Sequence, residues 1–118
     1  MLPPRDLGRL ADMTAHVRQA IALCEGLDET AFLDDVRTCL ACARCCEVVG
    51  EAASQVAPET RQALHAIPWP VIIGFRNVLI HQYHRIDYRI VFRIIRKDLP
   101  GLLRQLEAIL SEQEPTGR

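Results

Sequence analysis

Residues Ile73–His84 read Ile-Gly-Phe-Arg-Asn-Val-Leu-Ile-His-Gln-Tyr-His, so polar side chains interrupt an otherwise apolar run. In a helix with about 100° between residues, the four polar residues of interest fall on one side. These are Arg76, Asn77, His81 and Tyr83. The opposite side carries Val71, Phe75, Val78 and Leu79. The segment therefore predicts a helix that packs on one flank and presents chemical groups on the other.

Arg76, His81 and Tyr83 have the spacing Arg-x4-His-x-Tyr. Given the composition of the chain, chance predicts roughly 0.01 occurrences of this spacing. In a short helical chain it resembles the HEPN superfamily, and within it the HepT toxins. A second match is Val49–Ala52, Val-Gly-Glu-Ala, which resembles the end of that family's second helix. The resemblance covers residues from about 7 to about 110 and implies a HEPN-like fold.

This resemblance implies a metal-independent endoribonuclease toxin of a type VII-like toxin–antitoxin system, with RNA as its substrate and no cofactor. Arg76 and His81 match the catalytic positions, with Asn77 and Tyr83 in support. The resemblance also implies a homodimer and a cognate nucleotidyltransferase antitoxin of the MntA-like kind. In the family that antitoxin attaches AMP to the motif tyrosine, which here is Tyr83.

The residue types suit this chemistry. RNA cleavage without a metal needs proton transfer at the ribose hydroxyl and at the leaving oxygen, and His81 titrates in the required range. Arg76 can stabilise the charge that develops on the phosphate, because its guanidinium matches phosphate oxygens. Asn77 can position either the histidine or the phosphate, while Tyr83 can donate a hydrogen bond or stack on a base. One histidine cannot act as both acid and base, so two copies would complete the site.

Three isoleucines interleave with the motif and would give the dimer an apolar contact surface: Ile72, Ile73 and Ile80. Gly74 lies one helical row from His81, so no side chain there would block an approaching molecule.

The length of 118 residues is that of one domain, and 49% hydrophobic with only 5% aromatic residues favours helices packed on helices. We predict an all-α, antiparallel four- to five-helix bundle over residues 1–118, ordered from about 5 to 110, with a tail at 111–118. No apolar run reaches the roughly 18 residues that span a bilayer. The beginning of the chain also lacks a secretory apolar core. The expected location is therefore cytoplasmic, without a membrane partner.

Apolar spacing and helix-breaking residues divide the chain into segments. The predicted helices run from about Arg5 to Cys24, Glu29 to Ala53, Pro58 to Ile67, Pro70 to about Tyr83, and Asp87 to Arg96. Pro100 starts either a continuation of the last helix or a kinked sixth helix to about Leu110. The long second helix should bury Phe32, Val36, Cys39, Ala43, Cys46 and Val49. Its many small residues should allow another helix to pack closely against it.

Basic charge is concentrated in the second half of the chain. Residues 59–118 carry 9 Arg and Lys against 6 Asp and Glu, whereas residues 1–58 carry 5 against 9. Arg85, Arg89, Arg93 and Arg96 follow at i, i+4, i+8 and i+11, one row of a continuous helix. The first three are candidate RNA contacts. The alternative is an ordinary solvated helix face.

Two metal-site hypotheses are weaker. Cys39-x2-Cys42-x2-Cys45 has the spacing of a metal-binding cluster, but a helix would separate these thiols, so we expect small hydrophobic residues instead. His81 and His84, with Asp87, could hold a catalytic metal, yet the resemblance implies none.

Two alternatives to an enzyme also remain open. The polar residues of the motif could form a network that only fixes helix packing, or the chain could be a non-catalytic HEPN partner of a small nucleotidyltransferase.

Overall fold

The computed structural model describes residues 1–80 and 85–113, apart from the side chains of residues 78–80. This part of the chain is helical and contains no strand. Its elements are α1 (Pro4–Cys24), α2 (Glu29–Asp34), α3 (Val36–Ser54), α4 (Pro58–Ala63), α5 (Trp69–Ile80), α6 (Tyr88–Arg93), a π-helical segment (Ile94–Asp98) and α7 (Leu99–Glu112). The predicted all-α bundle is confirmed.

The two longest helices, α1 and α3, pack along each other at the centre of the bundle. α5 lies against α3, and α7 lies against α1. The short helices α2 and α6 contact each other and α3. The space between the helices is filled by buried side chains such as Leu10, Met13, Val17, Phe32, Cys46, Val49, Ile95, Leu99 and Leu106. Burial of this apolar surface is the main force that holds the helices together.

α1 begins and ends where the sequence predicts. Pro4 occupies its first turn, where a missing N–H costs no hydrogen bond. Gly26 follows the helix with φ of 79°, in the left-handed region that a residue with a side chain rarely adopts. Asp28 then caps α2 by accepting a hydrogen bond from the Ala31 amide at 2.8 Å. The turn between α1 and α2 is therefore encoded locally.

The predicted continuous helix from Glu29 to Ala53 is wrong, because Asp35 divides it into α2 and α3. The Asp35 carboxylate accepts hydrogen bonds from the Thr38 amide (3.1 Å) and hydroxyl (2.8 Å), which starts a new helix. The Thr38 hydroxyl, followed by its amide, lowers the pKa of Asp35. This cap contributes above the ordinary carboxylate pKa and is lost as the pH falls through the lowered value. The change of direction also leaves Val36 67% exposed, although the sequence pattern placed it in the core.

α4 is shorter than predicted and ends at Ala63 instead of near Ile67. Its N-terminus has no cap from its own residues. Instead the buried Asp6 of α1 accepts hydrogen bonds from the Ala57 amide (3.2 Å) and from the Thr60 hydroxyl. This contact fixes the start of α4 on the start of α1.

Trp69, the first residue of α5, anchors the bend that leads into this helix. The indole is 6% exposed. Its N–H donates to the Leu64 carbonyl at 3.1 Å.

α6 begins next to the boundary predicted at Asp87, which caps the helix by accepting a hydrogen bond from the Arg89 amide at 3.0 Å. The predicted helix to Arg96 changes at Ile94 into a π-helical segment, after which α7 begins one residue before Pro100. Proline in a regular helix clashes with the carbonyl four residues earlier. The wider π turn accommodates Pro100 without this clash. The chain therefore continues from α6 through the π-helical segment into α7 despite the proline.

The end of the chain is described as far as residue 113. α7 reaches Glu112, two residues beyond the predicted boundary. Most of the predicted tail, residues 114–118, lies outside the described residues, and the single-domain boundaries stay a prediction. Among the helices of residues 1–80 and 85–113, none is long and apolar enough to cross a membrane.

The five cysteines are buried free thiols. Cys39, Cys42 and Cys46 lie in the core as predicted, and Cys45 is only 4% exposed as well. The Cys24 and Cys42 sulfurs are 3.6 Å apart. Burial raises the pKa of Cys46 to about 12. It raises the pKa of the other four thiols too, so all five are protonated at neutral pH.

Candidate functional site

The motif helix α5 packs closely against α3 at Gly50. A Cβ atom at Gly50 would lie 3.0 Å from the Ile72 carbonyl oxygen and 3.1 Å from the Arg76 amide nitrogen. Because both are backbone atoms of α5, a side chain here would push the helix away. The Val49–Ala52 segment and the motif helix, which the resemblance identified separately, are therefore packed together.

This contact also decides which residues of α5 are buried. Ile72 and Phe75 face the core and are 2% and 3% exposed. Val71, predicted to pack inside, is 54% exposed. Conversely, Ile72 was predicted to contribute to a dimer surface, and this is wrong because its side chain lies on the buried side of α5, in the core. Ile73 is half-buried at the edge of the core.

Arg76 and Asn77 are both exposed, as predicted for the polar flank. The Arg76 guanidinium (Nη1) lies 3.0 Å from Oε2 of Glu51 on α3, and each side chain is about half exposed, 49% and 48%. An ion pair this exposed contributes little to stability, typically about 0–1 kcal/mol. Glu51 can therefore orient the guanidinium while leaving its other donors available to an anion.

The other motif residues lie outside the described part of the chain. These are His81 and Tyr83, together with His84, which was considered as a metal ligand. The side chains of Val78, Leu79 and Ile80 are likewise not described. The roles of these residues stay predictions. Among the described residues outside its own helix, none comes within 4 Å of a Cβ atom built at Gly74, and the predicted relation of Gly74 to His81 stays a prediction.

Arg76 lies at a groove between α1, α3 and α5 with a volume of about 420 Å³. Its lining combines charged side chains with a small apolar surface: Arg9, Asp12, Arg44, Glu47, Val48, Glu51, Ala52, Gln55 and Arg76. The sequence did not reveal this groove, because its residues come from three separated segments. Glu51 was visible only as the acidic residue of Val49–Ala52.

The predicted row of arginines does not form a single helical stripe. Arg85 precedes α6, whereas Arg89 and Arg93 lie exposed on it. Arg96 lies in the π segment, where it donates to the Leu27 carbonyl and stacks 5.0 Å from the centre of the Phe92 ring. Arg96 is thus committed to fixing the turn after α1. Arg85, Arg89 and Arg93 stay candidates for contact with RNA.

A comparison with protein families gives the class to which this fold and site belong. The family model described as Ribonuclease HepT-like matches residues 13–109. The chain therefore belongs to the Ribonuclease HepT-like family. The expectation drawn from Arg-x4-His-x-Tyr and Val49–Ala52 is confirmed at the level of the family.

Individual relatives agree with this assignment. A protein of Methanocaldococcus jannaschii named as a putative RNase is 28% identical over 100 residues, covering 85% of this chain and 92% of its own. One of Caldanaerobacter subterraneus subsp. tengcongensis, named likewise, is 33% identical over 76% of this chain and 80% of its own. The probable ribonuclease HepT of Thermococcus cleftensis is 28% identical over 83% and 93%. No solved structure matches the chain.

Proposed function

We propose that this chain is a metal-independent endoribonuclease and the toxin of a type VII-like toxin–antitoxin pair. The observation that carries the proposal is the exposed Arg76 of the motif helix, held by Glu51 beside a groove, in a member of the Ribonuclease HepT-like family. A guanidinium presented in this way suits a phosphate that passes through a more highly charged transition state.

In the proposed mechanism Arg76 stabilises the charge on the scissile phosphate, and His81 transfers the protons. Asn77, exposed next to Arg76, helps to hold the phosphate, and Tyr83 contacts the RNA. A second protomer supplies the second histidine, so that one acts as base and the other as acid. Arg85, Arg89 and Arg93 add affinity for the RNA backbone.

The proposed homodimer pairs the two motif helices. On α5 the exposed Val71 and the half-buried Ile73 offer apolar contact surface, in place of the buried Ile72. Two motifs would then share one cleft across the dimer axis.

We expect the purified chain to cleave single-stranded RNA in the presence of excess EDTA at the same rate as without it. Protein groups alone perform the proposed chemistry, so chelation removes nothing that the reaction needs. The measurement is the cleavage rate of a labelled RNA, with light scattering on the same sample to determine the mass of the active species. Complete inhibition by EDTA, or full activity in a sample that is monomeric throughout, would exclude this mechanism.

We also propose that the cognate nucleotidyltransferase antitoxin inactivates the toxin by attaching AMP to Tyr83. A phosphate and nucleoside near Arg76 would compete with RNA for the guanidinium. Co-expression of the two proteins should add the mass of one or more AMP units to the chain. The ribonuclease activity should fall in parallel.

Tyr88 gives a matched control, because the chain has two tyrosines. Tyr88 lies at the start of α6, outside the motif. The added mass should vanish in Tyr83→Phe and remain in Tyr88→Phe. If Tyr83→Phe still gains AMP, or if the inhibited complex carries no added mass, the antitoxin acts at another residue or by blocking the site. A complex that forms without any ribonuclease activity in the free chain would favour the non-catalytic alternative.

A further inference from the structure

The groove beside Arg76 contains two arginines that the motif does not account for. Arg9 comes from α1 and Arg44 from α3, so with Arg76 of α5 three helices each contribute a guanidinium. The groove is bounded by the two central helices of the bundle, α1 and α3, which keeps its shape fixed. A rigid concave surface with several phosphate-binding groups is a feature of binding sites.

The remaining lining suits the other parts of a nucleotide. Val48 and the buried Ala52 offer a small apolar surface against which a base can pack. Asp12 and Gln55 also line the groove, and carboxylate and amide oxygens can accept hydrogen bonds from base amino groups. The volume of about 420 Å³ lies within the range of small-molecule sites, roughly 300–1,000 Å³.

The carboxylates do not exclude a phosphate from the groove. Glu47 is paired with Arg44 at 2.7 Å, and Glu51 with Arg76 at 3.0 Å. The Arg44 side chain is 71% accessible and that of Arg76 49%, so each guanidinium can bind a phosphate through its other donors while its carboxylate stays paired. The carboxylates of the lining also select against a regular duplex, because its paired bases point inward and it presents mainly backbone phosphates to them. A single strand can turn its bases toward them.

We propose that this groove binds the nucleotide next to the cleavage site of a single-stranded RNA, with its phosphates on Arg9 and Arg44. The inference rests on the proposed function, since it takes Arg76 as the residue that holds the scissile phosphate. It adds a binding site on α1 and α3 that extends the substrate path away from the motif helix.

The test measures binding separately from cleavage. A fluorescent single-stranded 2′-O-methyl oligoribonucleotide cannot be cleaved through its 2′ oxygen, so its anisotropy reports affinity alone. The variants are Arg9→Ala, Arg44→Ala and the double substitution. Arg37→Ala is the matched control, because Arg37 is an exposed arginine of α3 outside the groove lining. Circular dichroism melting of each variant verifies that the fold is kept.

We expect each single substitution to weaken binding about 5-fold and the double substitution about 20-fold, and the slope of log affinity against log salt to fall by about 0.7 for each arginine lost. Arg37→Ala should stay within about 2-fold of the wild type, since it neutralises no phosphate. A duplex of the same sequence should bind more weakly than the single strand.

The inference fails if the wild type does not bind the oligonucleotide, if the double variant binds like Arg37→Ala, or if the duplex binds as tightly as the single strand. Its failure is distinguishable from that of the proposed function. Loss of binding in the groove variants of a chain that cleaves no RNA would support the groove and overturn the ribonuclease. If the groove variants cleave and bind RNA normally, the ribonuclease is supported and the groove is excluded as an RNA-binding site.

Discussion

Replacing His81 with alanine is expected to lower the rate of RNA cleavage by about 100-fold or more, because proton transfer by a positioned side chain contributes a factor of this size. Arg76→Ala should cause a loss of similar size, since it removes a charged donor aimed at the developing phosphate charge. Single-turnover cleavage with the RNA saturated by protein measures both effects on the chemical step.

Two exposed residues of the same types serve as controls. His65 follows α4, and Arg37 lies in the first turns of α3. His65→Ala and Arg37→Ala should cleave RNA at the wild-type rate. Arg76→Lys should recover only part of the activity, because an ammonium group cannot form the bidentate contact. Wild-type activity in His81→Ala would remove the catalytic assignment altogether.

Gly50→Ala should both destabilise the protein and reduce its activity. The new methyl group would lie 3.0 Å from the Ile72 carbonyl and 3.3 Å from the Arg76 Cβ, so α5 must move away from α3. Overpacking of this kind costs about 1–3 kcal/mol, which outweighs the gain of about 0.5–1 kcal/mol from replacing a helical glycine. Urea unfolding measures the free energy, and cleavage assays show whether displaced Arg76 still acts.

Substitution of Gly8 is expected to change the stability of the protein in the opposite direction. Gly8 is also a helical glycine, but no residue outside α1 in the described part of the chain comes within 4 Å of a Cβ atom built there. Gly8→Ala should therefore raise the free energy of unfolding by about 0.5–1 kcal/mol and leave cleavage unchanged. Equal stability changes in Gly8→Ala and Gly50→Ala would contradict the close packing of α3 on α5.

The helices were predictable because their signals are local. Pro4, Gly26, Asp28 and Asp87 each act on their own turn of the chain, and the helix ends next to them lie within one residue of the predicted boundaries. The break at Asp35 had a local cause too, in the two bonds from Thr38, but the apolar pattern on either side continued through it. A periodic pattern of apolar residues therefore did not reveal the break, and it wrongly placed Val36 in the core.

The flanks of α5 were predicted less accurately, because their orientation depends on another helix. The sequence grouped Arg76 with Asn77 correctly on an exposed side, yet it exchanged the positions of Val71 and Ile72. The contact at Gly50 fixes the rotation of α5, and no feature of residues 69–80 encodes that rotation alone.

Most of the groove could not be predicted for the same reason. Arg9, Arg44 and Glu51 have no distinctive spacing relative to Arg76, and only the packing of three helices brings them to one surface. The motif predicted the role of Arg76, whereas the residues that surround and orient its guanidinium could be identified only from the fold.

Because the five thiols are buried, their chemical reactivity reports how often the helical bundle opens. A reagent such as Ellman's disulfide is attacked only by thiolates, and here the sulfurs are both covered and protonated in the closed bundle. The rate of labelling therefore measures how often local or global unfolding exposes each cysteine. Mass spectrometry of digested fragments can determine this rate for individual cysteines. A cysteine engineered onto the surface would react first, so that position can be labelled with a fluorophore without altering the native five.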